Sequence, residues 1–121
     1  EFAAALYGTR LVVVLGHSSC GAVIATLDEL QRSTENQSQN LRSIVDRIRP
    51  SVEELIRVEG SADPSSLLAH AVRANIRHSA NHLRHGSEVL EKLIQNDGLL
   101  VVGAEYSLET GVVDFFDGIP S

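Results

Sequence analysis

The sequence predicts an α/β fold in which a mostly parallel sheet contains a long helical crossover and an antiparallel edge strand. Two buried strands are indicated by the apolar runs 11–15 and 99–102, and the long stretch between them has helical periodicity. A turn at 109–111 followed by the partly alternating segment 112–116 predicts the antiparallel strand. All 121 residues are expected to form a single domain, 1–121.

Composition narrows the class of protein. The hydrophobic fraction of 43% and the charged fraction of 21% are ordinary for a globular domain. A net charge of −6 argues against a nucleic-acid partner, because phosphate binding needs a concentrated basic face. No apolar run approaches the roughly 18 residues that span a membrane, and no signal segment opens the chain, so we expect a cytoplasmic protein without a membrane partner.

The helices can be placed by apolar spacing and by breakers. A helix over residues 1–7 should stop at Gly8; it lacks a cap and looks like a helix joined midway. Pro50 should bend or split the third helix, and Ser61 or Asp63 should cap the fourth. The polar segment 33–40 separates the second and third helices. The predicted helices after the first are 21–32, 41–58, a helix from Pro64 to Gly86, and 87–94.

Four of the five histidines lie between residues 70 and 85. His78 and His82 are four residues apart, a spacing that can bind zinc when a third ligand is present. Arginines interleave with these histidines and would repel a cation. We therefore interpret the histidines as solvated or interface residues.

Polar residues that could bind a ligand directly follow the first strand, in the sequence Gly16-His17-Ser18-Ser19-Cys20-Gly21-Ala22-Val23. The His-x-x-Cys spacing suits a tetrahedral zinc ion with nitrogen and sulfur ligands. Gly21 opens the next helix, whose unpaired amides would stabilise a thiolate or a bound anion. The spacing alone leaves open a second interpretation, in which Cys20 is a small buried apolar residue and His17 only a helix-entry residue.

This motif resembles the second zinc-ligand motif of the β-class carbonic anhydrases, in which a buried strand runs into Gly-His-x-x-Cys-Gly-Ala-Val. Residues 98–116 resemble the last parallel strand, turn and closing strand of the same family. The resemblance implies a β-carbonic-anhydrase-like fold whose N-terminal strands are missing here. One of those strands carries Cys-x-Asp-x-Arg in the family, and Cys20 is the only cysteine in this chain.

The resemblance implies a lyase that reversibly hydrates carbon dioxide to bicarbonate with Zn²⁺ as cofactor. His17 and Cys20 would be metal ligands, and Gly21 would help to bind the anionic product. The Asp–Arg pair has no counterpart, so the catalytic residues are unassigned, and the 121-residue chain alone is expected to bind zinc weakly and to be inactive. The family forms dimers or dimers of dimers, and the strand 11–15 would be an open edge, so we expect a homo-oligomer.

Three alternatives stay open from the sequence. The chain could be a non-catalytic binding or interaction domain that kept the sheet and lost the metal. It could belong to a related hydrolase acting on carbonyl sulfide or carbon disulfide, since substrate choice depends on channel shape. It could also be a thiol enzyme with Cys20 as nucleophile and His17 as the nearby base.

Overall fold

The structure is a computed structural model that describes residues 1–31, 39–60 and 63–120. The elements in chain order are α1 (Phe2–Tyr7), β1 (Leu11–His17), α2 (Gly21–Gln31), α3 (Gln39–Glu59), α4 (Pro64–Gly86), α5 (Glu88–Asn96), β2 (Leu100–Tyr106) and β3 (Val113–Asp117). They fall into two compact units, one formed by Glu1–Gly16 with Ile76–Ser121 and the other by His17–Asn75. The single domain expected from the sequence stays a prediction.

The first unit contains a three-stranded sheet of order β1-β2-β3. β2 and β3 are antiparallel, with Ala104 opposite Phe115 and Tyr106 opposite Val113. The predicted α/β class with an antiparallel edge strand is therefore confirmed. β2 is longer than the predicted 99–102, because pairing with β3 extends it through Tyr106.

β1 occupies the other edge of this sheet, next to β2. The sequence predicts a strand buried on both faces, and for β1 this is wrong: exposed and half-buried residues alternate along it. Leu11, Val13 and Leu15 are 55%, 40% and 58% exposed. Within the part of the chain that the structure describes, only the opposite face of β1 is packed, so every second apolar side chain remains accessible to solvent.

The packed face of the sheet lies over helices α1 and α5. Ala4, Leu90 and Leu99 form a buried cluster, and Val12 of β1 packs against it. Leu83, Leu93 and Ile94 complete this contact. Ser87 caps α5 by accepting a hydrogen bond from the Leu90 amide at 3.2 Å, which fixes the start of that helix.

The second unit is helical, and α2 packs against α3. Val23, Val45 and Val52 are almost completely buried, as the apolar spacing predicts. Pro50 lies inside α3 without splitting it. Asp63 begins α4 as predicted, since its carboxylate accepts a hydrogen bond from the Ser66 amide at 3.3 Å.

Part of the predicted polar segment 33–40 lies outside the described residues, and α3 begins inside it at Gln39. Among the helices of the described ranges, none combines the length and the apolar character that a membrane crossing requires. The cytoplasmic location expected from the sequence stays a prediction.

Candidate functional site

The His-x-x-Cys motif occupies the connection between β1 and α2. β1 ends at His17, Ser18 and Ser19 form the turn, and α2 begins at Gly21. Ser19 has a φ of 55°, a left-handed conformation that reverses the chain tightly. The strand, turn and helix predicted from the sequence are therefore present, and both candidate ligands belong to one short connection.

Cys20 occupies the N-cap position of α2. Its carbonyl oxygen accepts the first helical hydrogen bond from the Ile24 amide at 2.9 Å. The thiol is free and half-buried. Its backbone therefore adjoins the unpaired amides of the first helical turn, where the helix dipole favours negative charge on a ligand.

His17 is exposed, and its ring has a defined orientation. The Nδ1 atom lies 2.8 Å from the carbonyl oxygen of Ser18. Because a carbonyl oxygen can only accept, Nδ1 must carry the hydrogen in this contact, and in the neutral ring the lone pair is then on Nε2. In a metal-binding histidine, the hydrogen bond made by the ring nitrogen that does not bind the metal normally sets the tautomer and orientation of the ring.

The donors fit zinc in kind but not in number. An imidazole nitrogen and a thiolate sulfur are both common zinc ligands, and a catalytic zinc needs at least three protein ligands. Across residues 1–31, 39–60 and 63–120, no group of three or more His, Cys, Asp or Glu side chains could hold a metal ion. A metal bound by His17 and Cys20 would need further ligands from outside the described residues. The predicted convergence of the two side chains on one point stays a prediction.

Gly21 is exposed at the start of α2. A Cβ atom at this position would meet no described atom within 4 Å. The packing among the described residues therefore does not itself require glycine here, and the assignment of Gly21 to substrate binding stays a prediction.

The histidines of α4 are dispersed. His70 lies 2.7 Å from a carboxylate oxygen of Glu59, and His85 lies 3.6 Å from one of Glu91. His78 and His82 are both exposed. The interpretation of the histidines as solvated or interface residues stays a prediction.

Sequence reasoning missed the residue that packs directly beneath the strand end. Ile76 of α4 is 3% exposed and lies against Gly16, which precedes His17, and against Gly103 of β2. The available signal was the glycine that directly follows each apolar run, because a glycine in a strand often marks a close approach by another part of the chain. Sequence alone did not indicate which side chain makes that approach.

Comparison with curated sequences links the chain to one family. The family model for carbonic anhydrase matches residues 1–113. Carbonic anhydrase 2 of Mycobacterium tuberculosis is 31% identical over 111 residues, which cover 92% of this chain and 51% of that protein. The carbonic anhydrase of Mycolicibacterium smegmatis is 33% identical over 114 residues, covering 94% of this chain and 52% of that protein. The chain thus spans about half the length of these relatives.

Solved structures show the same fold. The β-carbonic anhydrase CafA of Aspergillus fumigatus superposes with a TM-score of 0.83 at 22% identity, covering 100% of this chain and 55% of that one. A structure from Sordaria macrospora, described with two tetrameric β-carbonic anhydrases, gives 0.81 at 18% identity, covering 96% of this chain and 56% of that one. The fold is that of the β-carbonic anhydrases, and with the sequence matches it follows that this chain belongs to the carbonic anhydrase family.

Proposed function

We propose that the protein carrying this chain catalyses the reversible hydration of carbon dioxide to bicarbonate with zinc as cofactor. The observation that supports this most directly is the turn between β1 and α2. Its hydrogen bond from His17 Nδ1 to the Ser18 carbonyl, at 2.8 Å, leaves Nε2 as the ligating nitrogen, three residues from the thiol of Cys20. Membership of the carbonic anhydrase family supplies the reaction class.

In this proposal, His17 and Cys20 are two of the protein ligands. Bound zinc would supply Lewis-acid chemistry: it would lower the pKa of a water molecule to about 7 and so make hydroxide, the nucleophile for carbon dioxide, available near neutral pH. The Ser18 carbonyl holds the His17 ring in the tautomer that presents Nε2. Cys20, the N-cap residue of α2, would supply its thiolate as the sulfur ligand.

The start of α2 has a second role in the proposal. The amides that follow Cys20 and Gly21 in the first turn lack intrahelical partners and can donate to an anion. Gly21 leaves open space where a side chain would stand, so a small anion could approach the backbone there. We assign this position to bicarbonate.

We also propose that the protein works as a homo-oligomer. β1 is a sheet edge, and three apolar side chains along it are 40% to 58% exposed. An edge strand of this kind tends to be covered by another chain or segment. The Sordaria macrospora relatives are described as tetrameric, which agrees with this proposal.

The test is direct measurement on the full-length protein. Stopped-flow carbon dioxide hydration and elemental analysis should give zinc-dependent activity that is lost on chelation and restored by zinc. Zinc without carbon dioxide hydration, but with hydrolysis of carbonyl sulfide or carbon disulfide, would assign the protein to the related hydrolases. Absence of both metal and hydration would leave a non-catalytic binding domain as the function.

A further inference from the structure

The side chain of Ile76 lies over two glycines on neighbouring strands. A Cβ atom added to Gly16 of β1 would lie 2.6 Å from both Cδ1 and Cγ1 of Ile76. A Cβ atom added to Gly103 of β2 would lie 2.9 Å from Cγ2 of the same side chain. Real carbon–carbon contacts do not approach this closely, so Ile76 can occupy its position only because both strands lack a side chain beneath it.

One of these two contacts falls directly beside the candidate metal ligand. Gly16 precedes His17 at the end of β1, whereas Gly103 lies within β2 and adjoins none of the proposed ligands. Ile76 is 3% exposed and therefore held by its surroundings, while β1 is an edge strand that pairs with β2 on one side. A contact that fixes the backbone at Gly16 also fixes the starting point of the His17 side chain.

We propose that Ile76 is a positioning residue for the metal-ligand turn and that it acts through Gly16. The proposal rests on the proposed function for its zinc readout, but its geometric content concerns only this chain's own residues. Packing of Ile76 on Gly16 fixes the position of the backbone at the end of β1. It thereby sets the direction in which His17 Nε2 presents its lone pair. Interactions that orient a ligand in this way typically change metal affinity by about 10- to 100-fold when they are removed.

The two glycines provide a matched pair of variants. Gly16→Ala and Gly103→Ala each add one methyl group against Ile76, and the methyl group at residue 103 also lies 3.0 Å from Cβ of Asp117. Both variants should therefore lower the melting temperature of the full-length protein. Only Gly16→Ala should also weaken zinc affinity, by about tenfold or more, in a competition titration with a chromophoric chelator. It should also alter the visible absorption spectrum of the cobalt-substituted protein, which reports ligand geometry.

A compensating change separates positioning from general stability. In the Gly16→Ala/Ile76→Ala double variant, the new methyl group takes the space that Cγ1 and Cδ1 of Ile76 leave, so residue 16 keeps a packing contact with α4. Ile76→Ala alone loses that contact and should weaken zinc affinity as Gly16→Ala does. In the double variant, zinc affinity and the cobalt spectrum should return to within about threefold of the wild type, although the melting temperature stays low. A role limited to core packing predicts the opposite, because the double variant would have lost further buried contacts.

If Gly16→Ala does not fold, Ile76→Val replaces it, since this change removes only the Cδ1 atom that lies over Gly16. Ile48→Val on α3, also at a buried isoleucine, is its control. Equal effects of Gly16→Ala and Gly103→Ala on zinc affinity, or of Ile76→Val and Ile48→Val, would overturn the proposal.

A measurement without metal tests the positioning role of Ile76 independently of the proposed function. In the apo protein, the ¹⁵N chemical shifts of the His17 ring report its tautomer. Gly16→Ala should change them and Gly103→Ala should not, even if the wild-type protein proves to bind no zinc. Unchanged His17 shifts in Gly16→Ala would overturn the positioning role whatever the protein catalyses.

Discussion

Arg84 of α4 donates to the Asp117 carboxylate at 3.0 Å, and the same nitrogen donates to the Val101 carbonyl at 2.7 Å. The two charged side chains are only 18% and 19% exposed. Arg84 therefore links a helix to the end of β3 and to the start of β2 through charge-assisted hydrogen bonds in a poorly hydrated position. This link holds the antiparallel strand pair in place beside α4.

Loss of this link should destabilise the protein. Arg84→Met leaves the Asp117 carboxylate and the Val101 carbonyl without their donor, so we expect a loss of about 2 kcal/mol in the free energy of unfolding. Arg57→Met is the control, because its ion pair with Glu54 is 76% and 69% exposed and should contribute less than about 0.5 kcal/mol. Urea unfolding measures both; equal losses would show that the Arg84 contacts contribute no more than a surface pair.

The metal-ligand assignment predicts a specific loss of function. In the full-length protein, Cys20→Ser should abolish stoichiometric zinc and carbon dioxide hydration together, because a hydroxyl is a much poorer zinc ligand than a thiolate. His78→Ala should leave both nearly unchanged, since His78 is an exposed side chain of α4. Elemental analysis and stopped-flow kinetics measure the two quantities. Retained metal and full activity in Cys20→Ser would rule out the proposed mechanism.

Local patterns predicted the elements of this fold well. The helix start at Gly21 and the cap at Asp63 are set by short-range chemistry, which is visible in the sequence. β1, however, extends to His17, two residues beyond the predicted strand 11–15. The exposure of Leu11, Val13 and Leu15 was not predictable in this way. A run of apolar residues indicates that a strand suits burial on both faces, but what covers each face depends on tertiary contacts.

In the candidate site, too, local features were predictable from the sequence and tertiary contacts were not. His17 and Cys20 could be identified from residue type and spacing, because both belong to one turn. Two other features could not be predicted from the sequence. The hydrogen bond from His17 to Ser18 depends on the orientation of a ring. The packing on Gly16 depends on Ile76, which lies 60 residues further along the chain.

The exposed face of β1 should mediate self-association. Leu15→Glu places a charge among apolar side chains at the sheet edge, where burial against a second copy would leave it unpaired. We expect the dimer dissociation constant of the full-length protein to rise at least about tenfold. Val58→Glu, at a position on α3 that is 72% exposed, is the control and should leave association unchanged. Sedimentation equilibrium distinguishes the two; a Leu15→Glu protein that associates as tightly as the wild type would place the interface elsewhere.

Zinc retention by the isolated 121-residue chain should be poor, and the reason is the number of ligands. A catalytic zinc needs at least three protein ligands, and the turn after β1 supplies His17 and Cys20. Cys20 is the chain's only cysteine, so no second thiolate is available from this sequence. In the described ranges, no cluster of three potential ligands exists that could take over the site.

Elemental analysis of the purified 121-residue chain after dialysis should therefore find well below one zinc per chain. The full-length protein, prepared in parallel, should retain about one zinc if the further ligands belong to its remaining residues or to a second copy. Removing a ligand from a tetrahedral site also removes the geometry that favours zinc, so cobalt added to the isolated chain should not give the intense visible bands of a tetrahedral thiolate complex. One tightly held zinc per isolated chain, together with carbon dioxide hydration, would show that these 121 residues contain a ligand that the present assignment lacks.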